Sequence, residues 1–218
     1  MSNLNKDFWS KYYMENKDDI KQNSSFSEYI YENYVKQSNT DGNFLIADLG
    51  SGNCRDSIYF AENNTKCYSV DINGVLERNI ENCQLIKEDV EIVLKYHKLG
   101  VKMDLIYMRW FLHAFPYENS NAIFHQAVKN LKSNGLICIE VRSMNDTYLK
   151  SISNYDEIDK SFKTTHKRWL YTIDMCKTLA SDNNCNVIFC EEGYFSPNMK
   201  TETNNPLLIR CVFQKKII

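Results

Sequence analysis

The sequence predicts an α/β fold, with a mostly parallel sheet of seven strands that ends in an antiparallel hairpin and helices on both faces. Two observations lead to this fold class. From residue 44 onward, short apolar segments typical of strands buried on both faces alternate with segments of helical periodicity. Near the end, two strand-like segments follow each other without a helix between them, at 185–196 and 205–216. Alternation implies parallel strands joined by right-handed crossovers, and the final pair implies antiparallel pairing.

The elements follow in chain order. The first 40 residues read as two helices, 6–16 and 24–37, and Ser24 caps the second. The predicted core strands before the hairpin are 43–50, 66–72, 83–90, 103–110 and 136–143. The predicted core helices are 54–64, 76–82, 91–98, 119–135 (ended by Gly135) and 171–184. We expect one domain over residues 1–218, with 1–40 as an N-terminal helical lid and 41–218 as the α/β core.

Composition argues against several classes of protein. The 218 residues include 26 basic and 28 acidic ones, which is unfavourable for a nucleic-acid binder that uses a broad basic surface. No apolar run approaches the ~20 residues that span a bilayer, and the first residues contain no apolar signal segment, so we expect a cytoplasmic protein without a membrane partner. Eight cysteines without a C-x-x-C pair predict reduced, buried thiols rather than disulfides or a zinc site, and we expect no bound metal.

The segment FLIADLGSGNCRDSIYFA, residues 44–61, indicates a ligand site. An apolar strand ends in Asp48, and Gly50 and Gly52 follow, where the absence of a Cβ lets the backbone turn tightly and approach a bound molecule. The next strand ends in Asp71, at about the 20-residue offset at which an acid accepts hydrogen bonds from ribose hydroxyls, and the third ends in Asp89. Because ligands bind at the carboxyl ends of parallel strands, these residues predict a nucleoside pocket.

These segments resemble those of a known family. DLGSGNCRDS is similar to the D/E-x-G-x-G-x-G loop of class I S-adenosylmethionine-dependent methyltransferases, which have a Rossmann-like sheet, and VDING resembles their ribose-binding acid. A narrower resemblance is to a bacterial branch with an R-[FW]-F-L-H-A segment, often associated with surface-polysaccharide biosynthesis. The matching segments are MRWFLHA at 108–114, IEVRS at 139–143, THKRW at 165–169 and NPLLIR at 205–210. Cys54 stands at the family's third glycine, which leaves open a slight displacement of the loop, and oxidation if solvent reaches the thiol.

The resemblance implies a site for S-adenosylmethionine, with S-adenosylhomocysteine as the product. Gly50 and Gly52 would pass under the methionine part, with the Asp48 region facing its amino group. Asp71 would hold the ribose, and Asp89 would accept from the adenine amino group. The complete set of predicted cofactor-binding residues is Asp48, Gly50, Gly52, Asn53, Asp71, Ile72, Asp89, Val90 and Arg109. The alternative is that Asp71 and Asp89 only cap the ends of strands.

Methyl transfer from a sulfonium needs alignment, exclusion of water and, for a hydroxyl acceptor, removal of a proton. His113 and His166 are the candidate catalytic bases, because the histidine pKa lies near neutral pH. A structural role, with a hydrogen bond to a backbone carbonyl, is the alternative for His113. The expected reaction is O-methylation of a small anionic acceptor, such as a sugar acid, a phosphorylated sugar or a nucleotide-linked glycan precursor. The predicted acceptor-binding residues are Tyr13, Arg109, Glu140, Arg142, His166, Arg168 and Tyr194.

Several alternatives stay open. Instead of binding an acceptor, the arginines could belong to a structural ion-pair network around Glu140. The aromatic segment around Trp9 forms either a lid over the donor or a plain docking helix. A nicotinamide-dependent oxidoreductase would need glycine at position 55, where the chain has Arg55. A non-catalytic subunit that binds S-adenosylmethionine is compatible with Cys54. A nucleic-acid methyltransferase is disfavoured because RWFLHAFPY stands where amino-directed enzymes have N/D-P-P-Y.

Overall fold

The computed structural model describes residues 5–15, 22–76, 78–196 and 205–217. The strands are β1 (Leu45–Leu49), β2 (Lys66–Val70), β3 (Cys83–Ile86), β4 (Met103–Arg109), β5 (Leu131–Arg142), β6 (Asn154–Asp156), β7 (Ser161–Lys163), β8 (Lys167–Arg168), β9 (Cys185–Tyr194) and β10 (Leu207–Lys215). The helices are α1 (Lys6–Glu15), α2 (Ser25–Ile30), α3 (Arg55–Glu62), α4 (Val90–Lys95), α5 (Tyr117–Asn130), α6 (Thr147–Ile152) and α7 (Ile173–Asp182). A π-helical turn, Tyr31–Val35, continues α2, and a 3-10 turn, Leu112–Ala114, follows β4.

The main sheet has seven strands within the described residues, in the order β3-β2-β1-β4-β5-β10-β9. Strands β1 to β5 pair in parallel, and β10 runs antiparallel to both β5 and β9. The predicted sheet with its antiparallel C-terminal hairpin is therefore confirmed. The strand order reverses between β1 and β4, so the crevice at which such sheets bind ligands opens beside the carboxyl ends of these two strands.

Helices cover both faces of the sheet, as predicted. On one face, buried residues of the strands pack with α4, α5 and α7 in a large apolar cluster. On the other face, α2 and α3 contribute Phe26, Ile30 and Phe60 to a second cluster. Successive strand residues point to opposite faces, so Ile46 joins the second cluster while Ala47 joins the first. This double cover explains why the strands read as continuous apolar runs in the sequence.

Two helix predictions were wrong in the described residues. No helix forms at 76 or 78–82, where the chain is irregular and ends in a turn at 81–82, with Asn82 in a left-handed conformation (φ 64°) directly before β3. The helix predicted to end at Gly135 ends at Asn130 instead, because the Asn130 side chain donates to the carbonyl of Gln126 at 2.9 Å and Leu131 turns into extended backbone to start β5. The small sheet of β6, β7 and β8 was not predicted, since its strands are too short to show a periodicity.

Within the described residues, no helix combines the length and the apolarity that crossing a membrane requires.

Candidate functional site

The glycine loop after β1 is shaped by contacts that only glycine allows. Gly50 has φ 77° and Gly52 has φ 57°, a backbone region that L side chains rarely adopt. A Cβ at Gly50 would overlap the ring of Phe111, and a Cβ at Gly52 would overlap the hydroxyl end of Tyr13. The Gly50 N–H donates to the carbonyl of Val70 at 2.8 Å, which ties the loop to the end of β2. Both glycines therefore let the Phe111 and Tyr13 side chains come close to the loop backbone, while the approach of this backbone to a bound molecule stays a prediction.

Cys54 takes the same left-handed conformation, with φ 59° and ψ 14°, immediately before α3. The third glycine of the loop pattern is thus replaced by a residue that keeps the backbone conformation at some cost in strain. The thiol is fully buried, and burial raises its pKa to about 11. Oxidation of a solvent-reachable Cys54 is therefore not expected, because the side chain faces the interior.

Asp71, which follows β2, is directed at the glycine loop. Its carboxylate accepts hydrogen bonds from the Gly52 N–H at 3.0 Å and from the Asn73 N–H at 2.7 Å. Only 7% of the residue is exposed, and burial raises its pKa. The alternative prediction, that Asp71 only caps backbone N–H groups at a strand end, is met in part, because both of these donors are backbone N–H groups. One of them belongs to the glycine loop, so the carboxylate also lies beside the predicted ligand site.

The other predicted cofactor residues divide into buried and accessible ones. Asp48 is buried beneath the loop, where it accepts a hydrogen bond from Ser57 at 2.5 Å, and burial and the charge of Asp56 raise its pKa to about 7. Asp89 caps α4 by accepting from the Glu91 N–H at 2.9 Å, and Val90 is buried. Asn53 and Ile72 are half-buried at the ends of the first two strands.

Asp56 is a buried acid that the sequence analysis missed. Its carboxylate accepts from the Ser24 N–H at 2.6 Å, the Ser24 hydroxyl at 2.8 Å and the Tyr107 hydroxyl at 2.9 Å, and the Arg109 guanidinium lies 4.0 Å away. Burial opposes its ionisation, but Arg109 and Arg55 outweigh burial and lower its pKa. Asp56 thus links the N-terminal segment to the sheet. In the sequence it reads only as a first-turn helix acid.

Glu140 lies on β5 between two arginines and is completely buried. Its Oε1 is 3.0 Å from the Arg109 Nε, and its Oε2 accepts from the Arg210 Nε at 2.7 Å. All three residues are neighbours across the strands, because Arg109 and Arg210 are both in register with Glu140. The structural ion-pair network that was the alternative prediction is therefore present around Glu140. Arg210 was not among the predicted site residues, although the NPLLIR segment contains it.

Arg142 and Trp110 extend this group along the sheet edge. Arg142 is 1% exposed and donates from Nη1 to Asp146 at 2.9 Å. The guanidinium groups of Arg109 and Arg142 lie 4.7 Å and 5.5 Å from the Trp110 ring centroid. Trp110 itself has φ 56°, a strained backbone conformation of the kind found at functional sites. Arg142 is thus held by its own carboxylate partner.

His113 and His166 are brought together with the arginines. His113 is 3% exposed, and its Nδ1 accepts from the Arg142 N–H at 3.1 Å, so the proton of the neutral ring lies on Nε2. The partner is a backbone N–H, not the carbonyl expected for a structural His113. Burial, followed by the charges of Arg168 and Arg142, lowers the pKa of His113, and the same causes lower that of His166 to about 3. Both rings are held neutral.

The helix α1 lies across this edge of the sheet. The Ser10 hydroxyl donates to Asn73 at 2.7 Å, and the Asn5 amide donates to the Lys167 carbonyl at 3.0 Å. The Trp9 and Phe8 rings lie 4.9 Å and 4.3 Å from the His166 ring centroid. With Tyr13 against Gly52, α1 spans the glycine loop, the end of β2 and the strand β8.

Two predicted acceptor residues lie at the periphery. Arg168 is half-buried and donates to the Thr164 hydroxyl at 2.7 Å. Tyr194 is 64% exposed at the end of β9, the outermost strand. The structure therefore brings together Arg109, Arg142, His113 and His166, with Arg168 beside them, and places Tyr194 farther along the sheet edge.

The two buried histidines predict an acid-sensitive fold. An unfolded histidine has a pKa of about 6.5. Since the folded pKa values of His113 and His166 are lower, their contribution to stability is complete above pH ~7 and is lost as the pH falls below ~6.5. Each histidine lowers the free energy of unfolding by up to ~1.4 kcal/mol per pH unit as the pH falls through that range. Asp48 acts in the opposite sense, because its raised pKa lets the folded state take up a proton first as the pH falls from 7.

We therefore expect His166→Gln to flatten the dependence of the unfolding free energy on pH between pH 6 and 4.5 by up to ~1.4 kcal/mol per unit. Urea unfolding of the wild type and the variant at each pH measures this dependence. His125→Gln is the matched control, since the His125 side chain is exposed on α5. An unchanged slope in His166→Gln would show that this ring is not held neutral by its surroundings.

Several solved structures that superpose on this chain are methyltransferases. The 1,6-didemethyltoxoflavin-N1-methyltransferase of Burkholderia thailandensis, with bound 1,6-didemethyltoxoflavin and S-adenosylhomocysteine, matches with a TM-score of 0.67 and 14% identity over 98% of this chain and 88% of that chain. S-adenosylmethionine-dependent methyltransferases of Anabaena variabilis and Clostridium acetobutylicum match with TM-scores of 0.66 and 0.64 and identities of 13% and 14%. These matches cover 96% and 99% of this chain and 94% and 100% of theirs.

No protein-family model matches the sequence, and no curated protein matches it. At the identities of the structural matches, the likeness concerns the fold. The chain has a Rossmann-like methyltransferase fold, with seven strands and an antiparallel C-terminal pair in the part of the chain that the structure describes.

Proposed function

We propose that this chain is a methyltransferase that binds S-adenosylmethionine at the carboxyl ends of β1, β2 and β3 and releases S-adenosylhomocysteine. The observation that carries the proposal is the pairing of the glycine loop with Asp71, whose carboxylate is bound directly to the Gly52 N–H at 3.0 Å. The two glycines contribute no side chain of their own to the loop, and the acid beside them is the proposed acceptor for the ribose hydroxyls. The structural matches support the same cofactor.

The residues present suit this cofactor. Gly50 and Gly52 add no Cβ to the loop, whose backbone is approached closely by the Phe111 ring and the Tyr13 hydroxyl end, and Asp71 is an acceptor beside Gly52. Asp89, Ile72 and Val90 are proposed to continue the site toward an adenine. When bound, S-adenosylmethionine supplies an activated methyl group on a good leaving group. The protein then has to align the acceptor and exclude water. Asp48, buried under the loop, would support the loop rather than contact the methionine part directly.

The proposed acceptor is small and anionic, and the reaction is O-methylation. The charges of Arg168 and Arg142 act on both neutral histidines, and that of Arg109 acts on His113. Arg109 and Arg142 already pair with Glu140 and Asp146, but a guanidinium has five N–H donors and can bind a carboxylate or phosphate as well. A sugar acid, a phosphorylated sugar or a nucleotide-linked precursor of a surface glycan has this chemistry. The proposed association with surface-polysaccharide assembly rests on the resemblance of the four segments 108–114, 139–143, 165–169 and 205–210.

The two histidines take different proposed roles. The Nδ1 of His113 is occupied by the Arg142 N–H, so this ring presents its Nε2–H and acts as a donor that orients the acceptor. His166 is the proposed base. Its pKa is depressed by burial and by Arg168 and Arg142, and an anionic acceptor bound beside these arginines would offset their charge and raise that pKa toward the working range.

The N-terminal segment is proposed as the lid of the site. The aromatic side chains of α1 lie on His166, and Tyr13 lies on the glycine loop, so α1 contacts both the donor and the acceptor side. Closing over the bound molecules would exclude water from the transfer step.

We expect Arg168→Gln to raise the KM for an anionic acceptor at least tenfold and to leave the Kd for S-adenosylmethionine within twofold. Arg168 lies on the acceptor side, and loss of one charge-assisted hydrogen bond costs about 1.5–3 kcal/mol. The assay supplies S-adenosylmethionine with charged sugars and nucleotide-sugars and measures release of S-adenosylhomocysteine. Arg168 suits this test better than Arg142, because removing Arg142 would leave the buried Asp146 without its ion-pair partner.

Lys163→Gln is the matched control, because Lys163 is exposed on β7, next to β8. A parallel loss of donor and acceptor binding in Arg168→Gln would contradict the acceptor role. Thermal stabilisation of the wild-type protein by NAD instead of S-adenosylhomocysteine would reject the proposed cofactor and favour an oxidoreductase.

A second candidate is a non-catalytic subunit that binds S-adenosylmethionine. The low pKa of both histidines favours it, since neither ring is a ready base in the absence of an acceptor. Tight donor binding with no turnover over the whole acceptor panel would support this second function.

A further inference from the structure

A pair of thiols lies outside the site described so far, on the antiparallel hairpin. Cys190 on β9 and Cys211 on β10 are directly opposite each other, and the Cys211 thiol donates to the Cys190 sulfur at a Sγ–Sγ distance of 3.2 Å. Directly opposed residues of antiparallel strands have Cα atoms about 4.5–5.5 Å apart, which lies within the range that a disulfide requires. The sulfur atoms therefore need to approach by only about 1 Å to form a bond.

The two thiols differ in the way that stepwise oxidation requires. Cys190 is half-buried, so a small oxidant can reach it, whereas Cys211 is completely buried. The hydrogen bond from Cys211, aided by the charge of Lys177, lowers the pKa of Cys190 against the opposing effects of burial, Asp174 and Glu191. Burial raises the pKa of Cys211. Cys190 is thus the thiol that reacts first, and Cys211 is the partner that resolves the product.

We infer that Cys190 and Cys211 form an oxidation site at which a peroxide closes a disulfide across the β9–β10 hairpin.

The chemistry needs a peroxide and no other reagent. The Cys190 thiolate attacks one peroxide oxygen, an S–O bond forms, the O–O bond breaks, and hydroxide leaves to be protonated to water. The Cys211 sulfur then attacks the sulfur of the resulting sulfenic acid. The S–S bond forms, the S–O bond breaks, and the hydroxide leaves with the Cys211 proton as a second water. Two thiols are oxidised, and one peroxide is reduced to two waters.

The chain contains its own comparison pair. Cys67 and Cys83 are also in register on neighbouring strands, β2 and β3, but these strands are parallel and no sulfur–sulfur hydrogen bond joins the two residues in the described structure. Both are buried, and burial raises the pKa of both thiols. The proposal therefore assigns the disulfide to one cysteine pair and excludes the other.

The test treats the reduced, folded protein with hydrogen peroxide, then alkylates the remaining thiols and maps the peptides by mass spectrometry. We expect the number of free thiols to fall by two from eight, and one disulfide-linked peptide pair, joined through Cys190 and Cys211, that dithiothreitol separates. A link between Cys67 and Cys83, a link from Cys176 on α7 to either hairpin thiol, or a sulfinic acid at Cys190 without any link would overturn the proposal.

Variants give a second readout. Cys211→Ser removes the resolving thiol, so dimedone is expected to label a sulfenic acid at Cys190 in this variant and not in the wild type. Cys138→Ser, at a buried thiol of β5, is the matched control and is expected to form the Cys190–Cys211 link as the wild type does. If Cys211→Ser does not fold, the peptide map of the wild-type protein decides alone.

Discussion

Replacing Asp71 by asparagine is expected to lower the affinity for S-adenosylmethionine about a hundredfold. The substitution keeps the size of the side chain but removes the negative charge that would accept hydrogen bonds from the ribose hydroxyls. A hydrogen bond to a charged group contributes about 1.5–3 kcal/mol, and a loss of ~2.7 kcal/mol corresponds to a factor of about one hundred in Kd. The amide oxygen can still accept from the Gly52 N–H, which holds the glycine loop, whereas the amide NH2 then faces the Asn73 N–H and that hydrogen bond is lost.

Isothermal titration with S-adenosylmethionine and S-adenosylhomocysteine measures this effect. Asp104→Asn is the matched control, because Asp104 lies at the opposite edge of the sheet, where it accepts from the Leu45 N–H at 2.9 Å and pairs with Lys132. We expect the control to change the Kd less than twofold. A Kd in Asp71→Asn within threefold of the wild type would rule out Asp71 as the ribose acceptor and leave it the loop-capping role alone.

Replacing Glu140 by glutamine is expected to lower the free energy of unfolding by about 3–5 kcal/mol. Glu140 is fully buried between Arg109 and Arg210, and loss of its charge leaves two guanidinium groups in the interior with less compensation than before. Breaking a buried ion pair from one side costs about this amount, because the remaining charge cannot return to water. Asp56, 4.0 Å from Arg109, supplies only part of the missing charge.

Urea unfolding measures this loss, with Glu62→Gln as the control. Glu62 pairs with Arg78 at 2.8 Å on the surface, with side chains 53% and 68% exposed, and such a pair contributes less than ~1 kcal/mol. We expect the double variant Glu140→Gln with Arg210→Met to recover part of the stability that Glu140→Gln loses, since it removes one of the two buried cations. Equal losses in the Glu140 and Glu62 variants would show that the buried network does not depend on its central charge.

Much of the fold and part of the site could be predicted from the sequence. Strands buried on both faces appear as uninterrupted apolar runs, and the change from alternation to two consecutive strands marks the antiparallel hairpin at the end. The tight turns at Gly50 and Gly52 and the position of Asp71 at a strand end could be predicted, because they depend on local backbone geometry; their roles toward a ligand stay proposals. These features are encoded over a few neighbouring residues each.

The partners of the buried charged groups could not be predicted in the same way. Asp56 looks like an ordinary first-turn acid until Ser24 and Tyr107 are seen to donate to it, and Arg210 looks like any arginine of a C-terminal strand. The sequence left two roles open for Glu140, and the register of three strands decided between them by placing both arginines beside it.

By itself, the sequence determined the chain order of the seven strands of the main sheet, their parallel and antiparallel pairing, and the position of the glycine loop, because hydrophobic period and glycine conformation are local properties. The tertiary structure alone decided that the His113 Nδ1 is occupied, that Cys54 is buried and that Cys190 faces Cys211. The physical reason is that protonation, ion pairing and thiol reactivity depend on burial and on atoms a few ångströms away, and those atoms come from residues far apart in the chain.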